Sequence, residues 1–183
     1  MTTQTENTSY QTELSKLVTQ LEQMIPPAAW ATFGQDAETL AARYLQPLQL
    51  AVGDQAPDFT LPNARGQEVS LQGLLGEGPV VLTFYRGSWC PYCNLALRKY
   101  QEILPQITQA GGSLVAISPQ IPDHALSMQE QNELQFEVLS DVGNTVARAY
   151  TTVFKNADAP IKAMAEMGID FHSFYADDQG ELP

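Results

Sequence analysis

A chain of 183 residues holds one domain with room for a small extension, and it buries roughly 70% of the surface its unfolded form exposes. Apolar residues make up 44%, too many for a disordered chain. Nine Lys and Arg stand against 21 Asp and Glu, and the resulting charge of −12 repels nucleic acid phosphates and anionic membranes, so neither is an expected partner.

Residues 1–7 carry neither the basic start nor the apolar run of a secretory leader. The most apolar stretch, residues 80–85, is far shorter than the ~20 residues that span a bilayer. Together they predict a soluble cytoplasmic protein. Tyr10, Leu14, Leu17, Val18, Leu21, Met24 and Ile25 recur at steps of three and four, which predicts an amphipathic helix. Pro26-Pro27 ends it and can start another, whose stripe is Trp30, Phe33, Ala37, Leu40, Ala41 and Tyr44. The pair reads as a helical hairpin docked on the main domain or on a partner. Residues 46–57, with Pro47, Gly53 and Pro57, form a connector. Residues 1–50 are thus a helical extension and 51–183 the main domain.

In the main domain, short extended pieces over 58–61 and 68–70 flank a turn at Asn63-Ala64-Arg65-Gly66, and one helical turn follows over 71–75. Residues 80–85 form a continuous apolar, β-rich run, expected to be a central strand buried on both faces. A helix over 90–109, a strand over 113–118, a helix over 123–131, a strand over 136–139 and a short helix over 144–150 follow. Strands separated by helices predict βαβ crossovers and a mostly parallel sheet. Beyond Thr151 the pattern weakens to one helix over 159–167 and a loop over 168–183.

The only two cysteines, Cys90 and Cys93, lie in Arg86-Gly87-Ser88-Trp89-Cys90-Pro91-Tyr92-Cys93, between a buried strand and a helix. This is the setting a redox-active CxxC requires. Two intervening residues let both thiols occupy the first helical turn, close enough to bond. The helix N-terminus, with its unpaired N–H groups and partial positive charge, favours thiolate over thiol. Pro91 fits the first helical position, where its missing N–H costs nothing. Arg86, Arg98 and Lys99 fall between Glu77 and Glu102 with no acid among them, a local positive patch in an acidic chain. Lowering a thiol pKa from ~8.5 to ~6.5 raises the thiolate fraction near pH 7 from roughly 3% to about 75%. Cys93, Leu97, Tyr100, Leu104 and Ile107 share one apolar stripe, so Cys93 is expected to be recessed. Cys90, at the helix mouth beside Trp89, is expected to be the accessible nucleophile. Pro105 is expected to kink this helix.

Other chemistries fit less well. A zinc site needs about four ligands, and two cysteines with the distant His124 and His172 supply them poorly. The glycines at 73, 76 and 78 have the wrong spacing for a nucleotide loop, and a strand follows them where a helix should. No cofactor or metal is therefore expected.

From Val52 onward the chain resembles the peroxiredoxin family, in its alkyl hydroperoxide reductase/thiol-specific antioxidant branch. The matching residues are Gly53-Asp54-Gln55-Ala56-Pro57-Asp58-Phe59-Thr60-Leu61, Gly66, Val69-Ser70-Leu71, and the run from Val80 through Cys93. The resemblance implies a thioredoxin-like α/β fold, a central mixed sheet flanked by helices, here with an N-terminal helical hairpin. It implies a peroxide substrate and a thiol reductant such as thioredoxin as partner. It also makes Cys93 the peroxide-attacking residue; Arg86, Trp89, Pro91 and Tyr92 around the two thiols are expected to support the site. The family pattern Pro-x-x-x-Thr/Ser-x-x-Cys places Arg86 at its proline and Cys90 at its hydroxyl residue, so a thioredoxin-type dithiol sits on a peroxiredoxin frame. Either thiol can attack and the other resolve, ending in a Cys90–Cys93 disulfide. Family members continue past Pro183 into a β-hairpin and a helix; without them the strand over 80–85 has a bare edge, and a homodimer is expected. A thioredoxin-like dithiol–disulfide oxidoreductase and a non-catalytic redox-sensing or interaction protein are the alternative functions.

Overall fold

The computed structural model describes residues 9–46, 48–176 and 180–183. The leader reading of residues 1–7 and Pro47 of the connector lie outside them.

Ser9 caps helix α1 (Tyr10–Met24) by accepting the Thr12 N–H, and Pro27 opens α2 (Pro27–Arg43) from its first position. Strands β1 (Thr60–Pro62) and β2 (Glu68–Ser70) make an antiparallel hairpin. The Asn63 side chain closes its turn, accepting the N–H of Arg65 at 2.9 Å and of Gln67 at 3.0 Å, and Gly66 takes the positive φ of 75° that the turn needs. Helix α3 (Leu71–Glu77) leads to β3 (Val80–Phe84), α4 (Pro91–Gln109), β4 (Ser113–Ser118), α5 (Pro122–Gln131), β5 (Glu137–Ser140) and α6 (Ala147–Tyr150). The chain ends in β6 (Phe154–Lys155), α7 (Asp158–Glu166), a 3-10 helix (Phe171–Phe174) and β7 (Glu181–Leu182).

The main sheet runs β3-β4-β5, all parallel, with Phe84 level with Ile117. An antiparallel bridge from Asn63 to Leu139 attaches the β1–β2 hairpin beside β5, so the whole array is mixed. The fold is α/β and thioredoxin-like. Side chains alternate across β4. Leu114 and Ala116 meet Leu97 and Leu104 of α4 and Met128 of α5, whereas Val115 and Ile117 meet Phe59, Leu71 and Tyr150. Each Leu, Val, Ile, Phe or Met among them, once buried, contributes about 1.5–3 kcal/mol.

Three expectations need correction. Among the described residues β4 has strands on both sides, and β3 has one neighbour, the expected bare edge; the burial of residues 80–84 on both faces is what fails, since they are half-buried for the most part, with Val81 41% exposed. Apolar, β-rich composition marks a strand for the sheet but carries no information on how fully each of its faces is covered. The first two helices dock on the main domain, one of the two expected placements, but separately rather than through one shared hairpin face. α1 lies on α4 and α2 on α7, so their apolar stripes brace two different parts of the domain. Finally, residues 168–176 and 180–183 are more than loop. Phe171 and Tyr175 join Met164 and Leu182 in a buried cluster that reaches Trp89 and Phe33, and tertiary packing orders a segment with no helical or strand period. Helix α4 runs on through Pro105. Among the described residues, no helix is long and apolar enough to cross a membrane.

Candidate active site

Parallel pairing sets the C-terminal ends of β3 and β4 side by side, and the Tyr85 N–H extends the ladder to the Ile117 carbonyl at 2.9 Å. The chain then leaves β3 as the loop 86–89 and enters α4 at Cys90. Cys90 is the helix N-cap: its backbone is extended, and its Sγ accepts the Cys93 N–H at 3.4 Å, the task Ser, Thr or Asp more often performs. Pro91 occupies the first turn. The Asn94 amide reaches back to the carbonyls of Ser88 at 2.7 Å and Cys90 at 2.9 Å and fixes the loop to the helix start.

Arg86 bends over the dithiol. Its Nη2 donates to Cys90 Sγ at 3.0 Å, and its guanidinium carbon stands 5.6 Å from the Trp89 ring centroid. Burial works against the Arg86 charge, but the two sulfurs outweigh it and its pKa is raised. The two thiols share a hydrogen bond, and it divides them. That bond, with the Arg86 charge and the backbone N–H groups of Arg86 and Gly87, brings the Cys93 thiol down to about 6 against the opposing effect of burial. The same bond, then burial, pushes Cys90 well up, although Arg86 and the Cys93 N–H pull the other way. The shared bond thus lowers the Cys93 thiol and raises the Cys90 thiol. Burial raises the phenols of Tyr85, Tyr92 and Tyr175, so all three stay neutral beside the thiolate.

The exposure argument for Cys90 is overturned. Cys90 is 0% exposed, whereas Cys93 is half-buried. As N-cap, Cys90 turns its sulfur under the helix mouth, and Arg86 closes over it. Cys93 does lie on the apolar stripe of α4 with Leu97, Tyr100, Leu104 and Ile107. The positive patch shrinks as well. Arg86 is the cation that meets the sulfurs; Arg98 donates to Asn132 Oδ1 at 3.1 Å, and Lys99 pairs with Glu102 at 2.8 Å. Sequence proximity overstated their reach because α4 carries Arg98 and Lys99 two turns away from Cys90.

Sequence reasoning missed three residues. Gln120, 0% exposed, holds Ser88 at both ends: its Oε1 accepts the Ser88 N–H at 2.8 Å and its Nε2 donates to Ser88 Oγ at 3.2 Å. Aligning β3 with β4 could have found it, because residues just past both strands become neighbours. Asn94 could have been found by its place one turn after Cys90. Tyr175 had no local signal. Its hydroxyl accepts the Trp89 Nε1–H at 2.7 Å and donates to the Arg86 carbonyl at 2.9 Å. Gly87 leaves room for this, since a Cβ there would lie 2.6 Å from Trp89 Nε1. Among the described residues, no group of three His, Cys, Asp or Glu side chains is placed to hold a metal ion.

A dithiol at a strand–helix junction beside a fixed cation, on a thioredoxin-like sheet, is the machinery of a thiol-based oxidoreductase. The chain matches the AhpC/TSA family over residues 52–182, and it belongs to that family. It is 30% identical over 134 residues to a protein of Mycobacterium tuberculosis named as a peroxiredoxin, a match that covers 73% of this chain and 83% of that one. The crystal structure of peroxidoxin BcpB from the same organism superposes with a TM-score of 0.52 at 31% identity, covering 54% of this chain and 64% of that one. Thiol-disulfide oxidoreductase ResA of Bacillus cereus is 27% identical over 104 residues, 56% of this chain and 59% of that protein.

Proposed function

We propose that this protein is a thiol peroxidase that reduces hydrogen peroxide or alkyl hydroperoxides with Cys93 as the attacking thiolate and Cys90 as the resolving thiol. The observation that carries this reading is the unequal pair: Cys93 is half-buried and its thiol is drawn down to about 6 by the Cys90 bond and the Arg86 charge, whereas Cys90 is fully buried and its thiol is pushed up. The Cys93 sulfur attacks one peroxide oxygen. An S–O bond forms as the O–O bond breaks, sulfur becomes a sulfenic acid, and the leaving oxygen departs as water or alcohol after taking a proton. Arg86 offsets the charge that develops on that oxygen. The Cys90 sulfur then gives up its proton and attacks Cys93, water leaves, and a Cys90–Cys93 disulfide remains. Thioredoxin or another thiol donor supplies two electrons and two protons to restore the dithiol. Trp89, Pro91 and Tyr92 support the site by holding the loop, starting the helix and flanking the thiols.

The reading predicts that mild peroxide produces a monomer lighter by the mass of two hydrogens, which mass spectrometry of the intact protein reads directly. A covalent dimer as the main product would sink it. Turnover with peroxide and with a disulfide substrate, side by side with a thioredoxin system, tests the function. The alternative, a dithiol–disulfide oxidoreductase, is favoured by the Cys90 N-cap geometry of the CxxC; faster turnover of the disulfide substrate would select it. Oxidation that stops after one equivalent, with no turnover of either, would select redox sensing.

We also propose that residues 1–50 are an extension to a thioredoxin-like domain of residues 51–183, and that the protein works in the cytoplasm, where reducing systems keep such a dithiol cycling. A homodimer is part of the same proposal, supported by β3, which among the described residues has a strand on one side and an exposed Val81. Light scattering across a wide concentration range should report twice the chain mass; a monomer throughout would count against it.

A further inference from the structure

We propose that Tyr175 is a positioning residue for the dithiol: its phenol clamps the 86–89 loop and so sets where the Arg86 guanidinium stands against the two sulfurs. The inference rests on the thiol peroxidase reading above and adds a distant residue to that site.

The hydroxyl uses both of its hydrogen-bonding roles on one loop. It accepts from the Trp89 indole at 2.7 Å and donates to the backbone carbonyl of Arg86 at 2.9 Å, across sequence separations of 86 and 89 residues. That carbonyl belongs to the residue whose guanidinium reaches Cys90 Sγ at 3.0 Å. The clamp is itself rigid. Tyr175 is 9% exposed, its ring centroid lies 5.0 Å from Phe171, and Phe171 meets Trp89 edge-on at 5.5 Å. The segment behind it is docked at the start of α5, where the Ile121 N–H bonds the Phe174 carbonyl at 3.2 Å and the His124 ring lies 3.2 Å from the Ser173 carbonyl. The absence of a side chain at Gly87 is the matching feature on the loop, since the indole crosses where a Cβ would stand.

Arg86 therefore has little freedom to swing away from the sulfurs. Loss of the Tyr175 hydroxyl leaves the Arg86 carbonyl and the Trp89 N–H without this partner, and the loop relaxes to find others. The groups facing the thiols are Arg86 and Tyr85 at the end of β3, Tyr92 on α4 and Tyr175 itself. With the three phenols neutral, Arg86 is the charge among them whose displacement the thiolate registers.

The test is Tyr175→Phe, which keeps the ring, together with Trp89→Phe, which removes one of the two bonds and keeps the other. The thiolate absorbance and the alkylation rate against pH give the titration midpoint, and near-UV circular dichroism reports folding. Tyr175→Phe should raise the midpoint by about half a unit to one unit, with about a three- to tenfold slower peroxide reaction below it and convergence with wild type well above it. Trp89→Phe should move the midpoint the same way by less. A purely structural role would lower the melting temperature and leave the midpoint in place. A low wild-type midpoint that either folded variant leaves unchanged overturns the clamp alone. A wild-type midpoint at the free-cysteine value overturns the clamp and the peroxidase reading together.

Discussion

Cys93→Ser is expected to react with hydrogen peroxide no faster than free cysteine does, while Cys90→Ser reacts once, at close to the wild-type rate, and stops as a sulfenic acid. The reasoning begins with protonation. A thiol near pKa 6 is about 90% ionised near pH 7, against roughly 3% for a free one, a gain of about thirtyfold in nucleophile. Cys90 has no such gain, because the shared bond and burial push its thiol up. Serine at position 90 can still donate a hydrogen bond to the Cys93 sulfur and still accept the Cys93 N–H at the N-cap, so the first step survives. The second step cannot occur without a resolving thiol, and dimedone labelling should trap the intermediate. Cys90→Ala removes that donor, so its Cys93 midpoint should rise where that of Cys90→Ser does not. Stopped-flow oxidation of the three variants measures all of this. A reactive Cys93→Ser with an inert Cys90→Ser would reverse the roles.

Much of the frame was legible because the strongest periodic signals sit in the layers that position the site. The apolar stripe from Cys93 to Ile107 marked α4, and Ser113–Ser118 was legible to the residue as β4 because a run buried on both faces needs no alternation. The CxxC at a strand–helix junction announced its chemistry in eight residues. What stayed hidden depends on contacts between distant segments. The half-exposure of β3 follows from what packs on its faces, and its own apolar composition predicted burial on both. The order of exposure at the thiols follows from the N-cap rotation of Cys90 and from Arg86 closing over it, neither of which a helical wheel contains. Gln120 and Tyr175 reach the loop from 32 and 86 residues away in sequence, and both are defined by what they bond.

The charge of Arg86 carries the second large effect. Arg86→Met should slow peroxide reduction near pH 7 by about a hundredfold or more, the scale of losing one preorganised donor to a transition-state oxyanion. Two parts compose the loss, and pH separates them. Thiolate is the deprotonated form, so the rate rises with pH through the Cys93 midpoint and levels off above it. Arg86 is one of the causes that hold that midpoint near 6, so its removal moves the rise toward the free-cysteine range. Part of the deficit therefore disappears once pH passes the new midpoint, where both proteins are ionised. What remains on that plateau is the lost stabilisation of the leaving oxygen. Arg86→Lys separates charge from geometry: an ammonium keeps the cation but lacks the planar fork, so the midpoint should stay close to wild type while the plateau rate falls. Initial rates with hydrogen peroxide from about pH 5 to pH 10 give both quantities for each variant. An Arg86→Met profile that overlays wild type across that range would remove Arg86 from the reaction and leave the helix N-terminus and the Cys90 hydrogen bond as the groups that hold the thiolate.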